Sequence, residues 1–535
     1  MRTRSIKAIV ALLCVFAFAH ASVRFVQDIG GSLAFQGQDI VGGAAIIFKP
    51  PKRVRDLTGG AAAVMKRPAR SSPPSTQVAR NTGRPRLPTQ PTPTPTETPS
   101  APGDRAEALA AAGDTYITAG RFAEAATAYE QTVRLQPDNA AAYSNLGYAY
   151  DKLGKVNESI TALNNAVRLK PDDVIAFNNL GASFYKAGRY QEALAAFRTA
   201  VRLDPNDHDA LNNLGAALYA LELYEPAAQN FQKAVATKSD SADAQYNFGN
   251  ALYMTGKHRE AAAAYRRAIE LKSDYVEAHT NLGSLLISLG DLRTAISELQ
   301  ESIRLRASNP VAHNNLGYAY VKLSETQDRA TANQYLQQAV VAYKEALRLK
   351  PDYVKAQNNL GAAYNKLNQY QEAVDVLQRA TRAKPDFPEA HYNLGTALYN
   401  RGQFKEAVTE FQQTVRLKID HADAYNSLGT ALYKDQQFEP AIDAYKKALA
   451  LKPANAETNN NIGTVYFRTR RYKEAAAAFK EAIRLKPDYG EAHFNLALTY
   501  IALNDRKAAL DQYNRLKKVD PKLADDFFQR YIKAK

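Results

Sequence analysis

Tryptophan is absent from this 535-residue chain, and its one cysteine, Cys14, lies inside an N-terminal apolar run. A single thiol excludes an intramolecular disulfide framework and every zinc site built on paired cysteines. Also missing are an H-x-x-x-H pair, a C-x-x-C pair, a phosphate-cradling G-x-x-x-x-G-K and a G-x-S-x-G elbow. These absences remove the common zinc, P-loop and α/β-hydrolase chemistries, so the chain reads as non-enzymatic, with no cofactor and no metal. Long hydrophobic runs are lacking too. The stretch from Ala8 to Ala19 is too short to span a bilayer, so no transmembrane span is expected.

Acidic residues are scarce only at the start. Residues 1–103 hold fourteen Lys/Arg against four Asp/Glu, and the remainder holds 55 against 50. The net charge of +15 therefore reflects a basic leader on a nearly balanced domain. Like charges form no stripe along that domain, which argues against specific nucleic-acid binding.

Three N-terminal segments are distinguished by composition. Arg2, Arg4 and Lys7 precede the apolar run, and Ala19-His20-Ala21 offers a small-residue cleavage site. Residues 1–21 thus read as a secretory signal peptide cut after Ala21, and the protein as secreted or periplasmic. Residues 22–65 carry two short apolar runs bounded by glycines. They read as a small β structure or as a segment docking on an envelope surface through Lys49, Lys52, Arg53 and Arg55. Residues 66–103 are rich in Pro and Thr, a composition that cannot bury a core and forms a disordered, extended linker.

What the chain has in abundance is repetition. A glycine returns every 34 residues at Gly113, Gly147, Gly181, Gly215, Gly249, Gly283 and Gly317. After a ten-residue slip it resumes at Gly361, Gly395, Gly429 and Gly463, with Ala497 in the twelfth place. Self-similarity at this period signifies a stacked array. In the unit 174–207, apolar spacing predicts one helix from Phe177 to Tyr185 and a second from Gln191 to Leu203. Gly188 ends the first, and Pro205 stops the second. Small residues at Gly181, Ala193 and Ala200 alternate with large ones at Leu180, Phe184, Tyr190 and Phe197, which lets helix axes approach closely.

This pattern of L-G, aromatic, Ala, aromatic, Ala and Pro at set offsets resembles the tetratricopeptide repeat. The resemblance implies an all-α, right-handed superhelical solenoid of about twelve helical hairpins over residues 104–523. The family's usual Trp at the fourth place is replaced by Tyr143, Phe177, His279, His313, His391, Tyr425 and His493. Those histidines stand one repeat apart, too far to share a metal, and read as packing residues. Residues 524–535 read as a capping helix with Phe527, Phe528 and Tyr531 on one face. The slip inserts ten residues in repeat seven, at about 323–338. Because ten residues approach three helical turns, the spacing predicts a second helix starting early, near Arg329, with Tyr335 and Leu336 packed.

Two residues before each marker glycine stands an asparagine: Asn145, Asn179, Asn213, Asn247, Asn281, Asn315, Asn359, Asn393, Asn461 and Asn495, with Ser427 the exception. Asn is a mediocre helix former, so ten copies at one helical place require a reason. An amide can both donate to and accept from a peptide backbone; equally, it can pack neighbouring hairpins. The array is similar to that of O-linked N-acetylglucosamine transferase, without its catalytic domain, and that resemblance implies an Asn ladder holding extended peptide in a concave groove. Six residues after the Asn places, and read as the same face, stand Tyr185, Tyr219, Tyr253, Tyr399, Tyr433 and Phe467. Acids occupy the second place of seven repeats: Asp209, Asp243, Glu277, Glu389, Asp423, Glu457 and Glu491. Lys186, Lys366, Lys434 and Arg468 lie near the other end of those helices.

Three functions stay open at this point. One is an exported scaffold or adaptor that binds extended peptide segments of partner proteins. Another is a carbohydrate-binding component of envelope polysaccharide assembly or export, for which the aromatic row is the support. The third is an accessory subunit of a glycosyltransferase-type enzyme. The leader makes the first test simple. N-terminal sequencing of exported protein is expected to begin at Ser22, and an intact Met1 in a cytosolic fraction would overturn export.

Overall fold

The computed structural model describes residues 102–532. The signal peptide, the Gly-rich segment and nearly all of the linker lie outside the described residues. Among the described residues there are 25 α-helices and no strand. Two compact units divide them, one running to Leu282 and one starting at Gly283.

The N-terminal unit holds five helical pairs: α1 (Pro102–Thr118) with α2 (Phe122–Leu135), α3 (Ala140–Lys152) with α4 (Val156–Leu169), α5 (Val174–Lys186) with α6 (Tyr190–Leu203), α7 (His208–Ala220) with α8 (Tyr224–Thr237), and α9 (Ala242–Met254) with α10 (His258–Leu271). The unit boundary falls within α11 (Val276–Ser288). The C-terminal unit continues with α12 (Leu292–Leu305), then α13 (Pro310–Ser324) with α14 (Arg329–Leu349), α15 (Val354–Lys366) with α16 (Tyr370–Ala383), and α17 (Pro388–Asn400) with α18 (Phe404–Leu417). It ends with α19 (Ala422–Lys434) and α20 (Phe438–Leu451), α21 (Ala456–Arg468) and α22 (Tyr472–Leu485), α23 (Gly490–Ala502) and α24 (Arg506–Val519), and the short α25 (Pro521–Phe527).

Local signals explain the helix ends. Several first helices start on side-chain caps: Asp173 accepts from the Ala176 N–H, Asp207 from Ala210 and Asn309 from Ala312. They stop where the chain turns left-handed, with φ 73° at Gly188, and the Arg189 N–H then bonds back to the Phe184 carbonyl at 2.9 Å. Arg470 takes the same backbone conformation at φ 59° without being a glycine. Caps lengthen the helices relative to their apolar patterns. The pair predicted at 177–185 and 191–203 runs 174–186 and 190–203.

Inside each pair, the marker glycine faces a large side chain of the second helix. A Cβ placed on Gly181 would come within 2.6 Å of Phe197, and one on Gly395 within 2.8 Å of Phe411. Ala193 and Ala200 are wholly buried beside these contacts. Removing the Cβ lets the helix axes close to ring-contact distance, and the rings fill what would otherwise be a void.

The seventh pair absorbs its insertion in three places. Helix α14 has 21 residues where its counterparts have 14, and α13 has 15 where others have 13. The turn between them gains the remaining residue. The extension of α14 starts at Arg329 under an Asp328 cap and is anchored by Tyr335, which stacks on Tyr320 at 6.1 Å. Leu336 is buried at the point where an ordinary second helix would begin. At the C-terminus the cap starts at Pro521, three residues before the expected 524, because Asp520 caps it and Pro favours the first helical position. It seats Phe527, fully buried, against Phe494 and Tyr513, and ends in a π-helical turn from Phe528 to Ile532.

Gly395→Ala is expected to gain helix propensity of about 1 kcal/mol but lose more to overpacking against Phe411, for a net destabilisation of roughly 1–2 kcal/mol. Hydrogen exchange should localise the damage to α15–α20. Uniform loss of protection throughout the chain would contradict nearest-neighbour stabilisation.

Candidate functional site

The first helices carry the sequence-predicted residues, and the Asn row lies between neighbouring hairpins. In the N-terminal unit, Asn213 Nδ2 donates to Asn178 Oδ1 at 3.0 Å and Asn247 Nδ2 to Asn212 Oδ1 at 3.2 Å. Asn281 donates to Asn250 at 3.0 Å and to the Tyr246 hydroxyl at 3.1 Å, and Asn145 to Asp114 at 3.2 Å. In the C-terminal unit the same link joins Asn359 to Asn314, Asn393 to Asn358, Asn461 to Asn426 and Asn495 to Asn460, at 2.9–3.3 Å. Where Ser427 replaces Asn, its hydroxyl meets that of Tyr392 at 3.3 Å. Asn314 Nδ2 bonds Asn315 Oδ1 at 3.3 Å. Asn179, Asn213, Asn247, Asn281, Asn315, Asn359 and Asn393 are buried, whereas Asn145, Asn461 and Asn495 keep part of their surface.

This placement supplies the reason for ten copies of a weak helix former. Seven of the ten amides, Asn213, Asn247, Asn281, Asn359, Asn393, Asn461 and Asn495, bridge one hairpin to the preceding one through the residue just before the ladder position. Asn145 reaches Asp114 instead, and the Asn179 Oδ1 is buried without a partner. A buried amide without a partner costs more than helix propensity can return, so the bridge and its partner act as a set. The partners Asn178, Asn212, Asn314, Asn358, Asn426 and Asn460 escaped the sequence reading. Their signal was the recurring Asn-Asn doublet at 178–179, 212–213, 314–315, 358–359 and 460–461.

The rings face another way. Six residues turn a helix by about 240°, so Tyr185 shares a face with Asn178 and Ala182, not with Asn179. Each ring is half-buried and leans on the aromatic that opens the second helix: Tyr185 on Tyr190 at 5.2 Å, Tyr219 on Tyr224 at 5.1 Å, Tyr253 on His258 at 5.2 Å. In the C-terminal unit Tyr399 meets Phe404 at 5.4 Å, Tyr433 meets Phe438 at 6.0 Å and Phe467 meets Tyr472 at 5.4 Å. Tyr219 lies within electrostatic reach of both Tyr253 and Tyr185, which makes a continuous row. Burial, aided by Tyr190, pushes the Tyr185 phenol up to about 12, and burial raises Tyr253 and Tyr399 as well. These phenols stay neutral and can donate a hydrogen bond at any physiological pH.

The charged residues at the helix ends divide. Lys186 is paired with Asp151 at 2.5 Å, and Lys366 with Glu325 at 3.4 Å. Asp243 accepts from the Tyr275 hydroxyl at 2.8 Å. The fourth-place histidines tie down the loop before their helix: the Nε2 atoms of His279, His313, His391 and His493 each meet the carbonyl six residues earlier, at 3.0–3.1 Å. Burial works against a charged His391 ring, but the Glu410 hydrogen bond and the Pro385 carbonyl carry its pKa above the ordinary value. Among the described residues no group of three or more His, Cys, Asp or Glu gathers around a point where a metal would sit, and no helix is long and apolar enough to cross a membrane.

Comparisons with known proteins agree with this architecture. A family model described as tetratricopeptide repeat matches residues 110–174, 146–208, 178–244, 392–456 and 460–524. A second, described as TPR repeat, matches 249–290, 283–324, 331–368 and 363–400. The chain belongs to the tetratricopeptide repeat family. The matches break between 324 and 331, inside the insertion. No curated protein matches the chain. Among solved structures, YrrB, described as a TPR protein with an unusual peptide-binding site, is 23% identical, covering 36% of this chain and 95% of its own, with a TM-score of 0.32. MamA from Desulfovibrio magneticus RS-1 is 24% identical over 31% of this chain and 95% of its own, with a TM-score of 0.30. Yeast Tom70 is 16% identical over 79% of this chain and 94% of its own, with a TM-score of 0.32.

The amide bridges can be measured by a double-mutant cycle on Asn178 and Asn213. Asn213→Ala is expected to destabilise by roughly 1–3 kcal/mol, because it strands the Asn178 carbonyl oxygen between hairpins. Changing both to Ala should cost less than the sum of the single changes. Strictly additive losses in denaturant melts would show that the two amides do not act as a pair.

Proposed function

We propose that the protein is an exported, non-enzymatic scaffold that holds extended segments of partner proteins along the first-helix faces of its repeats. The observation that carries this reading is the row of half-buried rings at Tyr185, Tyr219 and Tyr253, with its counterpart at Tyr399, Tyr433 and Phe467. Each ring is braced from behind by a second aromatic, so little side-chain freedom remains to be lost when a ligand packs on it. Each tyrosine adds a neutral donor for a main-chain carbonyl. The buried amides Asn213, Asn247, Asn281, Asn359 and Asn393 serve the interfaces between hairpins and contribute by holding the rings at a fixed spacing. Export rests on the leader at 1–21, and contact with an envelope surface on residues 22–65.

Arrays of tiled peptides and of glycans, probed with the full chain, test the reading. Peptides are expected to be retained, and a Tyr185→Ala/Tyr219→Ala/Tyr253→Ala variant to lose affinity by about tenfold or more, since an anchoring ring is worth upward of 1 kcal/mol. The matching triple Phe variant preserves the packing and should lose only the hydroxyl contribution. Retention of glycans with no peptide binding would replace this reading with the carbohydrate one. Peptide binding unchanged in the Ala variant would remove the ring row from the mechanism.

A further inference from the structure

The insertion in the seventh hairpin builds a cleft of about 560 Å³ between the overhang of α14 and the turn that follows α15. We propose that this cleft is a second binding site, separate from the ring row, and that it takes an extended peptide segment carrying carboxylates.

One wall is a single helical face. Arg329, Asn333 and Gln337 follow one another at four-residue intervals on α14, all exposed and all lining the cleft. The opposite wall is Lys366 with the Asn368 turn, whose backbone is held left-handed at φ 60°. Leu336, buried, forms the floor between them. The overhang is fixed in place by the Tyr335–Tyr320 stack and by the Asp328 cap, whose carboxylate accepts from the Ala330 and Thr331 N–H groups.

Charge and spacing together identify the occupant. The Asp328 carboxylate is committed to its own helix end, and Glu325 is shared between Lys322 at 3.1 Å and Lys366 at 3.4 Å. Among the described residues Arg329 has no ion-pair or hydrogen-bond partner, so the cleft keeps an unneutralised guanidinium there, and carboxylate is the peptide group that guanidinium binds best. Four residues of helix advance about 6 Å, and two residues of extended chain advance about 6.6 Å. Arg329, Asn333 and Gln337 therefore fall in step with alternate residues of a strand laid along α14. The guanidinium meets a carboxylate while the two carboxamides meet main-chain N–H and C=O groups, which they can satisfy from either end. Ordinary hairpins have no overhang, so the site occurs where repetition breaks.

The experiment is fluorescence anisotropy of the full chain with an eight-residue Glu-Ala repeat peptide, against a Lys-Ala peptide of equal length. The Glu-Ala peptide is expected to bind, and the Lys-Ala peptide not to. R329E should weaken binding by about tenfold, through loss of a charge-assisted bond and added repulsion. N333A/Q337A should weaken it severalfold with no change in melting temperature, since both side chains are exposed. Arg401, an exposed arginine in a turn of another hairpin, is the control, and R401E should bind as the parent does. The ring-row Ala variant should also bind the Glu-Ala peptide normally, which separates this site from the one proposed above. No binding by the parent chain, equal binding of the Lys-Ala peptide, or an equal loss in R401E would overturn the proposal.

Discussion

Helix pairs in this protein close on a side chain seated against a Cα that carries none. Phe197 lies on Gly181, Phe231 on Gly215 and Phe411 on Gly395, with Leu299 in the same relation to Gly283. The contact sets the distance between the two helices of a hairpin, and that distance fixes which residues reach the next hairpin. Its influence is plainest where the sequence departs from the period. Gly317 still meets Tyr343, within 2.7 Å of where a Cβ would stand, although ten residues have been added between them. The added chain cannot be taken up near the contact without breaking it. It is pushed outward, into the turn and the free ends of the two helices.

A second constraint acts between hairpins and is polar. Apolar surfaces of identical shape, repeated every 34 residues, specify close packing but tolerate sliding. A buried amide that must find its partner does not. Asn213 on Asn178 and Asn393 on Asn358 lock neighbouring first helices at one register, because a slip would leave donor and acceptor buried and unpaired. The consequence for binding is direct. A side chain whose donor is engaged between hairpins is unavailable to a ligand, and in the function proposed above recognition therefore falls to residues on another face. Those are the braced rings.

The repeat, the hairpin, the glycine contact and the early start of α14 were all legible in the sequence, because each follows from side-chain size at a fixed period. The position of Arg329 could be read because ten added residues approach three helical turns, with Tyr335 and Leu336 still packed; the Asp328 cap that fixes the start was seen only in the structure. The role of the Asn row was harder to read. Periodicity shows that Asn213 matters but not which neighbour takes its hydrogen, and the partner lies 35 residues away. The doublet in the sequence held the answer, since a donor and an acceptor in adjacent places let hairpins such as those of Asn212-Asn213 and Asn358-Asn359 both give and receive. The relation of the rings to the amides was misjudged for a geometric reason: six residues is not a whole number of helical turns. The cleft beside α14 could not be anticipated, because it depends on where the overhang points relative to the turn of the next hairpin.

Repetition itself limits what such a surface can recognise. An extended ligand lying on equivalent rings gains nearly the same energy when displaced by one repeat, so the rings alone give affinity without position. Position requires a feature that occurs once. In the C-terminal unit the seventh hairpin is that feature: its cleft carries a guanidinium without a partner among the described residues and two carboxamides at the pace of an extended strand, on an overhang that the 14-residue second helices lack. A segment with an acidic stretch would be held there in a single register, with its flanking residues free to lie along the neighbouring first helices. Specificity would then reside at the break in the period, and the periodic part would supply the length over which the partner is held.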